Sequence, residues 1–148
     1  MSNIFAMVTL KSSNFYTNFA LKSFFKNTEM QKDDEFLLIN NDGVEMDKFS
    51  VYKKISIIQN TQPLSFAENV NQGITAAIER KKNLVFLNND IIFTENWFHP
   101  LKADERDISI PVCNQLFPYH SDCGNLNLKV TMTFDDFKEN YDLLNEIV

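Results

Sequence analysis

Short apolar runs that stop abruptly at amides and carboxylates alternate along this chain with longer amphipathic stretches. Residues 4–10 are apolar and partly β-branched, and predict a first strand. Ser12, Ser13 and Asn14 offer a helix N-cap, after which Phe15, Phe19, Leu21, Phe24 and Phe25 recur at roughly helical spacing, predicting a helix that ends near Lys26 and Asn27. Residues 35–39 predict a second strand, closed by the turn signal Asn40, Asn41, Asp42 and Gly43. Residues 51–52 fit a short helix or a turn, and residues 55–58 predict a third strand. Ser65 then opens a second helix, with Glu68 at the capping-box position and Val70, Ile74, Ala77 and Ile78 on one side. Residues 84–87 predict a fourth strand, followed over 91–98 by an edge segment or short helix. Beyond these, residues 108–112 predict a strand limited by Pro111, residues 114–127 a polar loop, residues 126–133 an alternating strand, and Thr133 onward a final helix reaching Ile147.

Strands alternating with helices imply βαβ crossovers, and with them an α/β fold whose mainly parallel, Rossmann-like sheet is flanked by helices. Four consecutive apolar residues in the fourth strand fit a strand buried in a parallel sheet. At 148 residues the chain has room for one small domain, 1–148, with a core of its own. Its 44% hydrophobic content and 14 Phe mark it as globular, and only three Gly and four Pro leave little room for linkers. No apolar run approaches the roughly 20 residues needed to span a bilayer. The opening residues lack the basic region and apolar core of a signal peptide. Cys113 and Cys123 are then expected to be free thiols, and His99 and His120 do not fall at zinc-finger spacing. The expectation is a cytoplasmic protein. A net charge of −6, with no basic stripe, argues against nucleic acid as the main partner.

The candidate chemistry lies where the fourth strand ends, at Asn88, Asn89 and Asp90. In open α/β sheets, ligands bind just beyond the carboxyl ends of the strands. A carboxylate there is a suitable oxygen ligand for a hard cation, although an Asn–Asp pair after a strand is also an ordinary turn. The stretch from Phe66 to Ile74, with Asn71 and Gly73, followed by a strand ending in Leu87, Asn88, Asn89 and Asp90, resembles the N-terminal, nucleotide-sugar-binding half of family 2 glycosyltransferases of the GT-A fold. Asn88 and Asp90 are similar to the family's aspartate-x-aspartate motif in an Asn-first variant, and residues 40–43 are similar to the end of its second strand. Ser65 stands where the family commonly has Gly. The resemblance covers residues 3–115 or so, and divides the chain into a donor-binding part, 1–100, and a shortened C-terminal part, 101–148.

That resemblance implies a protein that transfers a sugar from a nucleoside-diphosphate donor to an acceptor (a glycan, lipid or protein) with a divalent ion, Mn²⁺ or Mg²⁺. Asp90 would ligate the metal. Thr9, Lys11, Ser12, Asn40, Asp42, Asn71 and Asn88 would bind the nucleotide, with Asn71 alternatively bracing a loop. Asn40 occupies the position where the family usually has an Asp that contacts the base. The family's general base sits in a motif to which Glu139, Asn140, Tyr141, Asp142 and Leu143 are similar, but with Asn140 in the place of the base. Asp135, Asp136 and Asp142 are the carboxylates left as candidate catalytic groups, and each is equally a cap or a solvated face of a terminal helix. The alternatives are therefore a non-catalytic nucleotide-sugar-binding module and a vestigial domain. A sheet edge left open also suits a homo-oligomer.

Overall fold

The computed structural model describes residues 2–42, 49, 52 and 54–99. The chain divides into two compact units, Met1–Phe93 and Thr94–Val148. The expected strands over 108–112 and 126–133, the terminal helix, Cys113, Cys123 and His120 all lie outside the described residues. So do Asp135, Asp136 and Asp142.

The first unit is a four-stranded, all-parallel sheet with two helices. In chain order the elements are β1 (Asn3–Thr9), a single 3-10 turn at Lys11–Ser13, α1 (Asn14–Asn27), β2 (Glu35–Asn40), β3 (Ile55–Gln59), α2 (Phe66–Arg80) and β4 (Asn83–Leu87). Across the sheet the strands run β3-β2-β1-β4. Register pairs Thr9 with Asn40 and Met7 with Leu87, so the strand tips end close to level. The α/β architecture is present, with the four expected strands and two expected helices each within a residue or two of its sequence expectation, whereas residues 91–98, expected as an edge segment or short helix, form neither strand nor helix.

Because side chains alternate across a strand, each strand contributes to two cores. Ile4, Ala6, Leu37 and Ile39 form one face, closed by Ala76 and Ala77 of α2. Gly73 lies where α2 comes nearest the sheet: a Cβ there would meet Leu84, Ala6 and Phe86 at 3.4–3.6 Å. Phe5 and Phe36 belong to the other face, where Phe24 of α1 meets them edge-on at ring-centroid distances of 5.0 and 4.8 Å. Phe93, after β4, joins the same cluster at 5.3 Å. The two helices therefore cover opposite faces, as right-handed crossovers on either side of β1 require.

Two expectations about helix faces are corrected. On α2 the core side is Asn69, Gly73, Ala76 and Ala77, while Ile74 and Ile78 are 41% and 71% exposed. Small residues were needed where the helix approaches the sheet, so bulk marked the flank rather than the core. On α1, Phe24 is fully buried but Phe15 is half exposed. The capping box of α2 is present: the Ser65 hydroxyl accepts from the Glu68 amide, and the Glu68 carboxylate accepts from the Ser65 amide at 2.8 Å. At α1 the Ser13 side chain does not cap; it turns back to the Leu10 backbone instead.

In the second unit the described residues, 94–99, form a tight turn over 95–98 with Asn96 in the left-handed region, and the rings of Trp97 and Phe98 lie 5.3 Å apart. Among the described residues, no helix is long and apolar enough to cross a membrane.

Candidate functional site

The strand order reverses at β1. From there the chain moves outward through β2 to β3, then crosses back to place β4 on β1's other side. Such a reversal parts the loops that follow β1 and β4, and the crevice between them is the usual ligand site of an open α/β sheet. A cleft of about 270 Å³ lies there, lined by Val8, Leu10, Phe66, Phe86 and Leu87, with Asn88, Asn89 and Asp90. Its base is the apolar end of β1 and β4, its wall the first residue of α2, and its rim the loop after β4.

Asp90 and Asn88 are both exposed on that rim, while Asn89 is half-buried. The Asn89 amide donates to the Ser13 and Thr17 hydroxyls at 2.7 and 3.0 Å, which pins the rim against the start of α1. Fixing the middle residue leaves its neighbours Asn88 and Asp90 clear of that anchor. Farther on, Phe93 closes the loop from below: its amide donates to the Ser23 hydroxyl, and its carbonyl accepts from the Asn27 amide group.

The other residues singled out in the sequence separate into two groups. Lys11 and Ser12 are exposed on the turn that follows Leu10, and the Lys11 amide donates to the Asp42 carboxylate at 2.5 Å, tying the tip of β1 to that of β2. The other Asp42 oxygen is buried without a hydrogen-bond donor among the described residues. Thr9 and Asn40 do not face the cleft. Both are fully buried on the α1 side of the sheet: Thr9 shares a 2.8 Å hydrogen bond with Thr17, and Asn40 donates to Gln59 at 2.7 Å. Asn71 is exposed on the far flank of α2, in a larger, more open groove of about 450 Å³ beside Ile58 of β3. That groove is not at the β1–β4 reversal, and two of its charged groups are engaged elsewhere, Glu68 with Ser65 and Arg80 with Glu35. The smaller cleft is therefore the better candidate site.

Bracing of the strand-tip loops falls to Asn41, from the expected turn, and to Asn60, Asn69 and Gln72, which the sequence pattern did not single out. Asn60 donates to Asn41 at 2.9 Å and to Asn69 at 3.0 Å, and its own oxygen accepts from Gln72 at 2.8 Å. Asn41 accepts from the Leu64 amide at 2.8 Å and donates to the Leu64 carbonyl, while Asn69 donates to the Ser65 carbonyl. This amide network locks the start of α2, and with it Phe66, against the tips of β2 and β3. The helical spacing of Asn69, on the same face as Gly73 and Ala76, was the available signal.

Among the described residues no three His, Cys, Asp or Glu side chains cluster, and Asp90 is the one carboxylate that lines the cleft. This donor set does not cage a metal by itself. It fits an ion of the Mg²⁺ kind, which takes one or two carboxylates and completes its shell with water and phosphate oxygens. No protein-family model matches the chain, and no curated protein matches it by sequence.

Proposed function

We propose that this chain binds a nucleotide-sugar donor in the crevice between β1 and β4, as the donor-binding part of a metal-dependent glycosyltransferase of the GT-A type. The observation that carries the reading is Asp90, exposed on the rim of a cleft at the point where the strand order reverses. A diphosphate leaving group gathers negative charge as the bond from its β-phosphate oxygen to the sugar's anomeric carbon breaks. A divalent ion held at Asp90 would supply Lewis-acid neutralisation of that charge. Asp90 would hold the ion through its carboxylate, and Asn88, on the same rim, would offer an amide oxygen to the ion or an amide group to the ribose. The anchored Asn89 keeps both in place. Lys11 and Ser12, exposed beyond Leu10, are the remaining nucleotide contacts on the β1 side.

Transfer to an acceptor hydroxyl also needs a general base. Asn140 stands where the family's base would be, and this favours a second reading, a binding module that keeps the donor site without turnover. Calorimetric titration with UDP, with and without Mn²⁺, tests what the two share. Metal-dependent binding that is lost in Asp90→Ala is expected, and equal binding by both proteins refutes the donor site. Release of free sugar from a panel of UDP- and GDP-sugars then separates enzyme from binder.

A further inference from the structure

The cleft is chemically divided. Val8, Leu10, Phe86 and Leu87 make an apolar floor, while the polar groups stand on the rim. Phe66 forms the wall as the first residue of α2. It is 68% exposed, and its ring meets Phe86 at 5.8 Å and 90°, a single edge-type contact that leaves most of the ring accessible. Its position is nevertheless fixed, because the Ser65–Glu68 capping box and the Asn60–Asn69 network hold the helix start immediately around it.

The volume limits what enters. At about 270 Å³ the cleft is smaller than the 300–1,000 Å³ typical of a pocket that encloses a whole small molecule. Only one part of a nucleotide-sugar fits inside, and the rest projects past the rim. Phosphates on an apolar floor would lose their solvation without compensation, and a sugar would leave its hydroxyls unpaired there. A nucleobase suits the space, because its flat faces are apolar and its edge is polar.

Resting on the donor-site reading above, we infer that Phe66 is the stacking surface for the donor's nucleobase. The base lies in the cleft with a face on the Phe66 ring, and the diphosphate emerges toward Asp90. Stacking tolerates any base, since each has a π-face.

Calorimetry in Mn²⁺ with two probes, UDP and inorganic pyrophosphate, tests this in the full chain. Phe66→Ala is expected to weaken UDP about tenfold, within the range of one base–aromatic stack, while leaving pyrophosphate unchanged. Phe66→Tyr should restore UDP affinity, and Phe66→Leu, which keeps apolar bulk without a ring, should not. Asp90→Ala should lose both probes. UDP binding that is unchanged in Phe66→Ala, or a parallel loss of pyrophosphate, overturns the stacking role and leaves the donor site standing. If neither probe binds the wild-type chain, both readings fall. Because Phe66 is largely exposed, thermal melting of the variants should match the wild type.

Discussion

Single residues in this fold carry costs that the rest of the structure offsets. Lys81 closes α2 in the left-handed region, φ 53° and ψ 49°, so that its amide reaches the Ile78 carbonyl and the Lys82 amide that of Ala77. A side chain there costs on the order of 1 kcal/mol that glycine avoids. Lys81→Gly is therefore expected to raise stability by about 1 kcal/mol in urea unfolding, provided Lys82, which binds Glu35, is left intact. Asn60 is the opposite case. It is buried and bonded to three other side chains, and Asn60→Ala takes that partner from the Asn69 oxygen and the Gln72 amide group, while the Asn41 oxygen keeps the Leu64 amide. A loss of about 2–4 kcal/mol in the same measurement is expected, since unsatisfied buried polar groups are costly. The sequence marked residues 40–43 as a turn and the fourth-strand tip as a ligand site. It gave no sign that Asn40 would be buried against Gln59 while Asn41 tied down Leu64, because which side of a strand tip an amide takes depends on the neighbouring strand.

At the scale of elements, boundaries were legible wherever local chemistry set them. Ser65 and Glu68 announced α2, and abrupt polar stops closed β2 and β4. Which face of α2 is buried was not legible, because Ile74 and Ile78 suggest a core side while the helix in fact packs through Gly73, Ala76 and Ala77. Close approach to the sheet selects small residues, and periodicity of bulk cannot report it. Gly73 measures that approach: an added methyl would stand 3.4–3.6 Å from its neighbours, ordinary contact distance. Gly73→Ala should therefore leave the melting temperature close to wild type, its better helix propensity offsetting slight crowding. Gly73→Leu should destabilise by about 1–3 kcal/mol through overpacking. At the sheet's amino end, Glu35 accepts from Lys82 and from Arg80 at 2.5 Å each. The Lys82 hydrogen bond, with the two positive charges, holds its carboxyl below the usual glutamate range despite a burial penalty. A depressed folded-state value means that the stabilisation is present above the unfolded glutamate range, near pH 4.3, and is lost as pH falls through the lower folded value. The group is over a third exposed, so the effect should stay below about 1 kcal/mol. Glu35→Gln is expected to lower stability by that small amount near neutrality, where the charged carboxylate contributes, and to converge with the wild type at low pH, so that the acid limb of stability against pH is flatter.

For the whole molecule, the decisive feature is the strand order β3-β2-β1-β4. Alternating strands and helices gave the α/β class from sequence, but the order determines where loops part, and so which strand tips share a cleft. It brings Asp90 and Asn88 together with Leu10 and Phe66, and leaves Thr9, Asn40 and Asn71 outside. These four residues thus form one site with an apolar floor and a polar rim. The most direct test is a crystal of the full chain soaked with UDP and Mn²⁺, with anomalous scattering used to find the metal. The account predicts a manganese peak beside the Asp90 carboxylate, bridged to a diphosphate between the tips of β1 and β4. Ordered UDP elsewhere, beside β3 or between β1 and β2, with no metal at Asp90, would contradict it.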